Sequence, residues 1–234
     1  MVNRAGVFKS GPIRRPSRPF KGVLLAAAML ILPVSPVRAH PHVFIDANLE
    51  IARDDQGRAT EIRHVWRFDE IFSSSVVLDF DTDGDGKLGL KELEEVASTV
   101  KKNIAEFNFY TEVRDGNEVV NFYEPDPFLA DFVDGQLILI LALELEKPQQ
   151  MTGGGFRVAV SDPTYYVAIE FNALAGITVT GKGGACKSDV VVPDWDALFA
   201  RDAERINKLF SAPADETVEA SDDYLTWVNF TCSK

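Results

Sequence analysis

The stretch 81–92 restricts the possible fold of this chain more than any other part of the sequence. It reads Asp-Thr-Asp-Gly-Asp-Gly-Lys-Leu-Gly-Leu-Lys-Glu, with three carboxylates at alternate positions, Gly at the sixth position and Glu at the twelfth. Short carboxylates spaced in this way meet at one point only if the chain curls tightly. Gly86 permits such a turn because it has no Cβ atom. The pattern predicts a tight loop that gathers oxygens around a cation.

This spacing is that of the calcium loop of an EF-hand. Ca²⁺ prefers about six to eight oxygen ligands, so Glu at the twelfth position completes the set with both of its oxygens. A backbone carbonyl is expected at the seventh position and a water-mediated contact at the ninth. The expected calcium ligands are therefore Asp81, Asp83, Asp85, the Lys87 carbonyl, Gly89 through water, and Glu92.

The residues on both sides of the loop carry apolar positions at helical spacing, so an EF-hand-like helix–loop–helix is expected over 69–103. Leu88 is expected to point inward and anchor the loop to the core. The alternative is an acidic surface turn that binds no metal. Sensors generally pair two such loops, and this chain has one, which favours a structural calcium over a regulatory one.

Residues 1–39 are typical of a secretory signal peptide. A leader with basic and no acidic residues precedes an apolar run of about ten residues, and Val37-Arg38-Ala39 offers small residues for cleavage. That run is shorter than the about 20 residues of a transmembrane helix. A retained anchor is the alternative. The prediction is a periplasmic protein of 40–234 that forms a single domain.

Cleavage after Ala39 would leave 195 residues with 17 basic and 36 acidic side chains, a net charge of −19. Such a chain repels nucleic acid and anionic lipid and attracts cations. No nucleic-acid partner is therefore expected. No second long apolar run follows, so no stable membrane insertion is expected after cleavage.

Cys186 and Cys232 are the two cysteines of the chain. In an exported protein, a pair of cysteines usually forms a disulfide. The alternative, that both ligate a metal, lacks the support of a CxxC spacing.

The rest of the chain predicts an α+β fold, made mainly of antiparallel strands with the inserted helix–loop–helix and a C-terminal helix. The C-terminal helix is expected over 194–210, with Asp194 as its N-cap. The expected strands are 43–51, 59–68, 107–113, 118–123, 136–145, 156–162, 165–171, 177–180, 189–192 and 224–232.

Two histidines lie at the predicted mature N-terminus. His40 would offer the free α-amine and its own imidazole to one ion, and His42 a third nitrogen, which suits Ni²⁺, Co²⁺, Cu²⁺ or Zn²⁺. Asp46 is a candidate carboxylate neighbour. The alternative is that these histidines are incidental. His64 is expected opposite residues 47–48 of a hairpin, as a packed or hydrogen-bonded residue.

Motifs of catalysis are absent from the sequence: no nucleophile elbow, phosphate loop or dinucleotide fingerprint is present. The chain is therefore not expected to be an enzyme.

Four blocks in this order resemble a bacterial family catalogued as a domain of unknown function, number 1007. They are His40-Pro-His-Val-Phe-Ile-Asp46, His64-Val-Trp-Arg-Phe-Asp-Glu70, Asp81-Thr-Asp-Gly-Asp-Gly86 and Asp162-Pro-Thr-Tyr-Tyr-Val-Ala-Ile-Glu-Phe171. Members are commonly labelled periplasmic components of an ABC-type transport system and resemble accessories of nickel/cobalt or zinc transporters. The resemblance implies a metal-handling role with an inner-membrane metal transporter as partner.

Two hypotheses follow. The leading one is a periplasmic metal-binding accessory protein of a transition-metal transport system, with one structural calcium site. The other is a calcium-stabilised structural or protein-interaction module without a transition-metal role.

Overall fold

The computed structural model describes residues 41–171, 176–211 and 221–233. They belong to one compact unit, Arg38–Lys234. The predicted signal peptide over 1–39 and His40 lie outside the described residues. None of the helices in the described part of the chain is long and apolar enough to cross a membrane.

Helices and strands are interleaved along the chain. The α-helices are α1 (Glu70–Phe80), α2 (Leu90–Ile104) and α3 (Trp195–Ser211), and short 3-10 helices cover Ala105–Tyr110 and Asp222–Tyr224. The strands are β1 (Val43–Arg53), β2 (Ala59–Phe68), β3 (Thr111–Asp115), β4 (Glu118–Val119), β5 (Phe128–Val133), β6 (Gln136–Gln149), β7 (Phe156–Val160), β8 (Val167–Phe171), β9 (Ile177–Thr180), β10 (Cys186–Val191) and β11 (Trp227–Cys232).

The strands form two sheets. The first has the order β5-β6-β2-β1-β8. Strand β9 pairs with the same edge of β1 as β8 does, further along β1. Its pairs are antiparallel except that β8 and β9 run parallel to β1. The second sheet has the order β10-β11-β7-β3-β4 and is antiparallel throughout. The α+β class expected from the sequence is therefore confirmed.

The main core is built from alternate residues of the longest strands. In β1 every second residue from Val43 to Ile51 is buried, and Trp66 of β2 and Leu139 of β6 face the same interior. Strand alternation explains this pattern, because successive side chains point to opposite faces of a sheet. The outer face of β1 and β2 carries the polar residues, such as Glu50 and Arg63, which form an ion pair.

The β1–β2 hairpin has a longer turn than the sequence suggested. His64 pairs with Leu49 instead of residues 47–48. The difference arises because the turn holds one more residue and because a β-bulge shifts the register between Ala52 and Arg53.

Five predicted strands are shorter than expected. Those at 156–162, 165–171 and 224–232 lose two or three residues at one end. The strand expected over 107–113 begins at Thr111, because Asn108, Phe109 and Tyr110 adopt positive φ angles that no strand accommodates. The strand expected over 118–123 ends at Val119. A strand that the sequence reading omitted, β5, pairs with β6 at the edge of the first sheet.

The C-terminal part follows the prediction more closely. Asp194 caps α3, since its side chain accepts a hydrogen bond of 3.0 Å from the N–H of Ala197. Leu198 and Ile206 of this helix pack with Tyr224 in a second, smaller apolar cluster.

Cys186 and Cys232 form a disulfide, which confirms the pairing expected from the sequence. The two residues are directly opposite each other in the β10–β11 pair. The bond therefore joins the end of β11 to the start of β10.

Candidate metal sites

Helix α1 positions the acidic loop, and two residues tie that helix to the first sheet. Asp69 caps the helix by accepting a hydrogen bond from the Phe72 N–H (2.8 Å), and its second oxygen accepts one from the Phe44 N–H of β1 (2.9 Å). The buried Ser73 hydroxyl accepts from the Leu137 N–H of β6 (2.9 Å) and donates to the Asp69 carbonyl (2.6 Å). The start of α1 is thus anchored to both β1 and β6.

The loop between α1 and α2 is curled around the carboxylate of Asp81. That carboxylate accepts hydrogen bonds from the N–H groups of Gly84 (2.8 Å), Asp85 (3.1 Å) and Gly86 (2.8 Å). The backbone of Gly84 and Gly86 has φ angles of +73° and +79°. Glycine adopts such angles without the Cβ clash that other residues meet, so the sequence supports this turn locally.

The curl brings three carboxylates together. Asp81, Asp83 and Asp85 each offer one oxygen, and these oxygens all lie within 4.8 Å of one another. Two oxygens on opposite sides of a Ca²⁺ ion, each about 2.3–2.6 Å from it, are separated by about 5 Å. The donor set and its dimensions therefore fit Ca²⁺, and hard carboxylate oxygens are the ligands that Ca²⁺ prefers.

Glu92 lies beside this group and is held by protein donors. Its Oε1 accepts from the Thr82 N–H (2.7 Å) and hydroxyl (2.8 Å), and its Oε2 accepts from the Gly89 N–H (2.7 Å). The Gly89 N–H and the Thr82 donors lower the pKa of Glu92, so the carboxyl stays ionised. It is not one of the three residues whose oxygens cluster, and its role as calcium ligand remains a prediction.

The remaining loop residues have backbone roles in the structure. The Lys87 N–H donates to Asp85 Oδ1 (2.8 Å), and Gly89 is the N-cap of α2. Leu88 is buried and belongs to the main core, as the sequence reading expected. The loop is therefore anchored at Leu88 and exposed at Asp83 and Asp85.

His42 lies elsewhere in the fold, immediately before the first residue of β1. Its backbone N–H donates to the Tyr166 carbonyl (2.9 Å). The centroid of its ring is 5.0 Å from that of the Tyr166 ring. It lines a cleft of about 490 Å³ together with Asp46, Asp69 and Glu70. His40, its expected partner, lies outside the described residues.

In the described part of the chain, the Asp81, Asp83 and Asp85 group is the one set of three or more His, Cys, Asp or Glu residues with ligand atoms this close. His42 and Asp46 are not in such a set. Cys186 and Cys232 are joined to each other, which leaves no thiol for a metal.

His64 is fully buried and makes a hydrogen bond with Thr111. Its Nε2 is 3.3 Å from the Thr111 hydroxyl oxygen, and that hydroxyl donates to the Phe109 carbonyl (3.0 Å). Because the hydroxyl has a single hydrogen, it accepts from His64, so Nε2 carries the proton and Nδ1 has the lone pair. Nδ1 has no hydrogen-bond partner, and burial lowers the pKa of His64 to about 3.

The chain reaches Thr111 through an unusual segment. Asn108, Phe109 and Tyr110 have φ angles of +51°, +50° and +54°, although none of them is glycine. Phe109 is buried, and the Tyr110 ring stacks on Trp66 with 6.2 Å between centroids. Sequence reasoning missed this segment; the sole local signal is Asn108, a residue type that tolerates the left-handed region.

The Asp162-Pro-Thr-Tyr-Tyr block is a turn that starts β8. Asp162 is buried, and its carboxylate accepts from the N–H and hydroxyl of Thr164 and from the Val167 N–H (2.9 Å). The turn delivers the Tyr166 carbonyl to the N–H of His42. Three of the four sequence blocks therefore meet at the start of β1, because Asp69 also bonds to Phe44 there.

The chain is similar to known proteins over most of its length. The family described as "Protein of unknown function (DUF1007)" matches residues 25–232. An uncharacterized protein of Haemophilus influenzae is similar to this chain, with 26 % identity over 175 residues that span 74 % of the chain and 82 % of that protein. Because the family match spans well over half of its length, the chain belongs to the DUF1007 family.

Proposed function

We propose that this protein is a periplasmic metal-binding accessory of a transition-metal transport system, with one structural calcium ion in the loop between α1 and α2. The observation that carries the metal-binding part is the convergence of the Asp81, Asp83 and Asp85 oxygens within 4.8 Å. The role is binding and delivery, with no catalytic residue assigned. An inner-membrane transporter of nickel, cobalt or zinc is the partner that this role requires.

The case for a structural calcium rests on how the loop is attached. Leu88 is buried in the main core, and α1, the helix before the loop, is fixed to the sheet by Asp69 and Ser73. An ion bound here would hold the first turn of α2 to the end of α1. Its affinity is expected in the range of extracellular calcium modules, about 10⁻⁴–10⁻³ M.

The case for a transition metal rests on the place where the N-terminal histidines enter the fold. His42 opens onto a cleft that also contains the carboxylates of Asp46 and Glu70, both exposed. His40 and the α-amine freed by cleavage after Ala39 would precede it by two residues. Imidazole and amine nitrogens suit Ni²⁺, Co²⁺, Cu²⁺ and Zn²⁺.

The second candidate function is a calcium-stabilised structural or protein-interaction module. It is favoured by the fact that His42 is in no preassembled group of metal-ligating side chains within the described residues. In that case the histidines would be incidental and Ca²⁺ would be the sole ion bound.

Titration of Ni²⁺, Cu²⁺ and Zn²⁺ into the processed protein separates the two functions. We expect one bound ion per chain, with weaker binding both in His42→Ala and in a form with one extra Gly before His40, which displaces the amine. Asn48→Ala, an exposed change further along β1, is the matched control. Because amine and imidazole must lose protons to bind, affinity should fall as the pH is lowered from about 7.5 to about 5.5. Equal affinities in all forms would leave the calcium-stabilised module.

A further inference from the structure

The outer face of α1 carries large apolar side chains that the fold leaves exposed. Ile71 and Leu78 are 85 % and 84 % exposed. They lie seven residues apart, which places them on the same side of the helix, two turns from each other. Phe44 of β1 is 52 % exposed and lines the same cleft as Ile71. We call Phe44, Ile71 and Leu78 the α1 apolar surface.

Two small residues separate the large ones. Ser74 and Ser75 are exposed, but their hydroxyls donate to the helix backbone, to the Glu70 carbonyl (2.7 Å) and the Phe72 carbonyl (2.7 Å). Their donors are therefore already satisfied by the helix. Small side chains of this kind allow a second helix to approach closely.

The charge around this surface is mainly negative, although Arg67 also lines the cleft of Phe44 and Ile71. Segment 69–86 contains six acidic residues and no Lys or Arg. They are Asp69, Glu70, Asp79, Asp81, Asp83 and Asp85. Among the described residues, the ion pairs join other parts of the chain, such as Arg114 with Asp222, and none involves this segment.

This charge decides between the possible occupants. A second copy of the chain would place its own acidic residues against those of segment 69–86. An anionic lipid surface would also repel these residues. A partner with basic residues beside its apolar ones would gain from both the apolar contact and the charge.

We propose that the α1 apolar surface is the docking site for a basic amphipathic helix of a partner protein. Apolar residues of that helix would cover Ile71, Leu78 and Phe44, and its Lys or Arg side chains would face Glu70 and Asp79. This is recognition of a helix by its apolar face, with spacing of three, four and seven residues. The three apolar residues are not metal ligands, although Phe44 and Ile71 line the same cleft as His42. The peptide is therefore tested with metal-free protein, so that the outcome does not depend on the proposed function.

A synthetic helical peptide tests this proposal with the full-length protein. The probe is a labelled amphipathic peptide of about 14 residues made of Leu and Lys, and its partner has Glu at every Lys position. Fluorescence anisotropy should show binding of the basic peptide and none of the acidic one. The double variant Ile71→Gln, Leu78→Gln should weaken binding about tenfold or more, since such anchors dominate helix docking.

Leu129→Gln is the matched control, because Leu129 is a 52 % exposed leucine on the edge strand β5, outside this surface. It should bind the basic peptide within about twofold of the unmodified protein. Equal weakening by the control and the double variant would overturn the proposal, as would binding of both peptides alike. A protein that sediments as a dimer and becomes monomeric in the double variant would also overturn it. So would binding to phosphatidylglycerol vesicles that the double variant abolishes.

Discussion

Among the turns that place residues in the left-handed region of backbone space, two do so by opposite means. In the acidic loop, Gly84 and Gly86 take positive φ angles, and the Asp81 carboxylate holds them through short hydrogen bonds. In the segment before β3, Asn108, Phe109 and Tyr110 take similar angles without a glycine. The first turn is specified by neighbouring residues, whereas the second is imposed by contacts distant in sequence.

The difference shows in what holds each turn. A non-glycine residue in this region loses about 1–2 kcal/mol relative to an ordinary conformation. Before β3, that loss is offset by burial of Phe109, by stacking of Tyr110 on Trp66 and by the bond between Thr111 and His64, which are 47 residues apart. The acidic loop is held mainly by hydrogen bonds between its own residues, with Leu88 as its anchor in the core, and most of it is exposed to solvent.

Loss of the disulfide should have the largest effect, because it is the strongest link between distant segments. Replacing both Cys186 and Cys232 by Ala should lower the free energy of unfolding by about 4 kcal/mol, since the cross-link closes a loop of about 46 residues in the unfolded chain. Urea unfolding measures this. Reductant should bring the unmodified protein to the same stability and leave the variant unchanged; a reductant effect on the variant would show another cause.

Calcium should stabilise the acidic loop and have no effect on the segment 108–110 before β3. The Asp85 N–H donates a hydrogen bond to Asp83 Oδ1. Asp83→Asn keeps a side-chain oxygen that can accept this bond, and it removes one charge from the ion site. At a calcium concentration 100-fold above Kd, the unmodified protein should gain about 2.7 kcal/mol that the variant lacks. In chelator the two should unfold alike.

Glu92→Ala is the informative contrast in that experiment. Because the Glu92 oxygens hold Thr82 and Gly89, this variant should be less stable in chelator as well as in calcium. If Asp83→Asn also unfolded early in chelator, the loop would depend on more than the ion.

Acid should weaken the region around His64 and Thr111, which is held by contacts between residues distant in sequence. The folded pKa of His64, about 3, is below its unfolded value of 6.5, so the unfolded chain binds the proton first. The stability due to the neutral imidazole is complete above pH 6.5 and is lost as the pH falls towards 3, by about 2 kcal/mol between pH 6.5 and 5. NMR should show the folded His64 ring neutral at pH 5; titration of that ring near 6.5 in the folded protein would contradict this.

The smallest expected effect concerns the left-handed segment itself. Asn108→Ala should reduce stability by about 1 kcal/mol, because Ala tolerates φ near +51° less well and lacks the Asn108 bond to the Thr111 carbonyl (2.7 Å). Asn108→Gly loses the same bond but relaxes the backbone, so it should lie close to the unmodified protein. Thermal unfolding of the two variants separates these terms; equal losses would assign the effect to the hydrogen bond alone.

The same contrast explains how far the sequence could be read. The acidic loop, the helices beside it, the buried Leu88 and the Asp194 cap follow from residues close together in the chain, and they were predictable. The His64 environment was not, because Thr111 reaches it only after β2, two helices and a left-handed segment have been placed. The parallel alignment of β8 and β9 with β1 has no local signal either, since pairing partners lie more than 120 residues apart.

The strand order of the second sheet has a consequence for the time at which it can form. Strand β11 is synthesised last of the eleven strands, yet it lies between β10 and β7. Until residues 227–232 are available to fold, β10 has no neighbour in the sheet and β7 has one open edge. The first sheet needs no strand later than β9, so it can be completed before the second sheet. The disulfide can close only after β11 has paired with β10 in the second sheet.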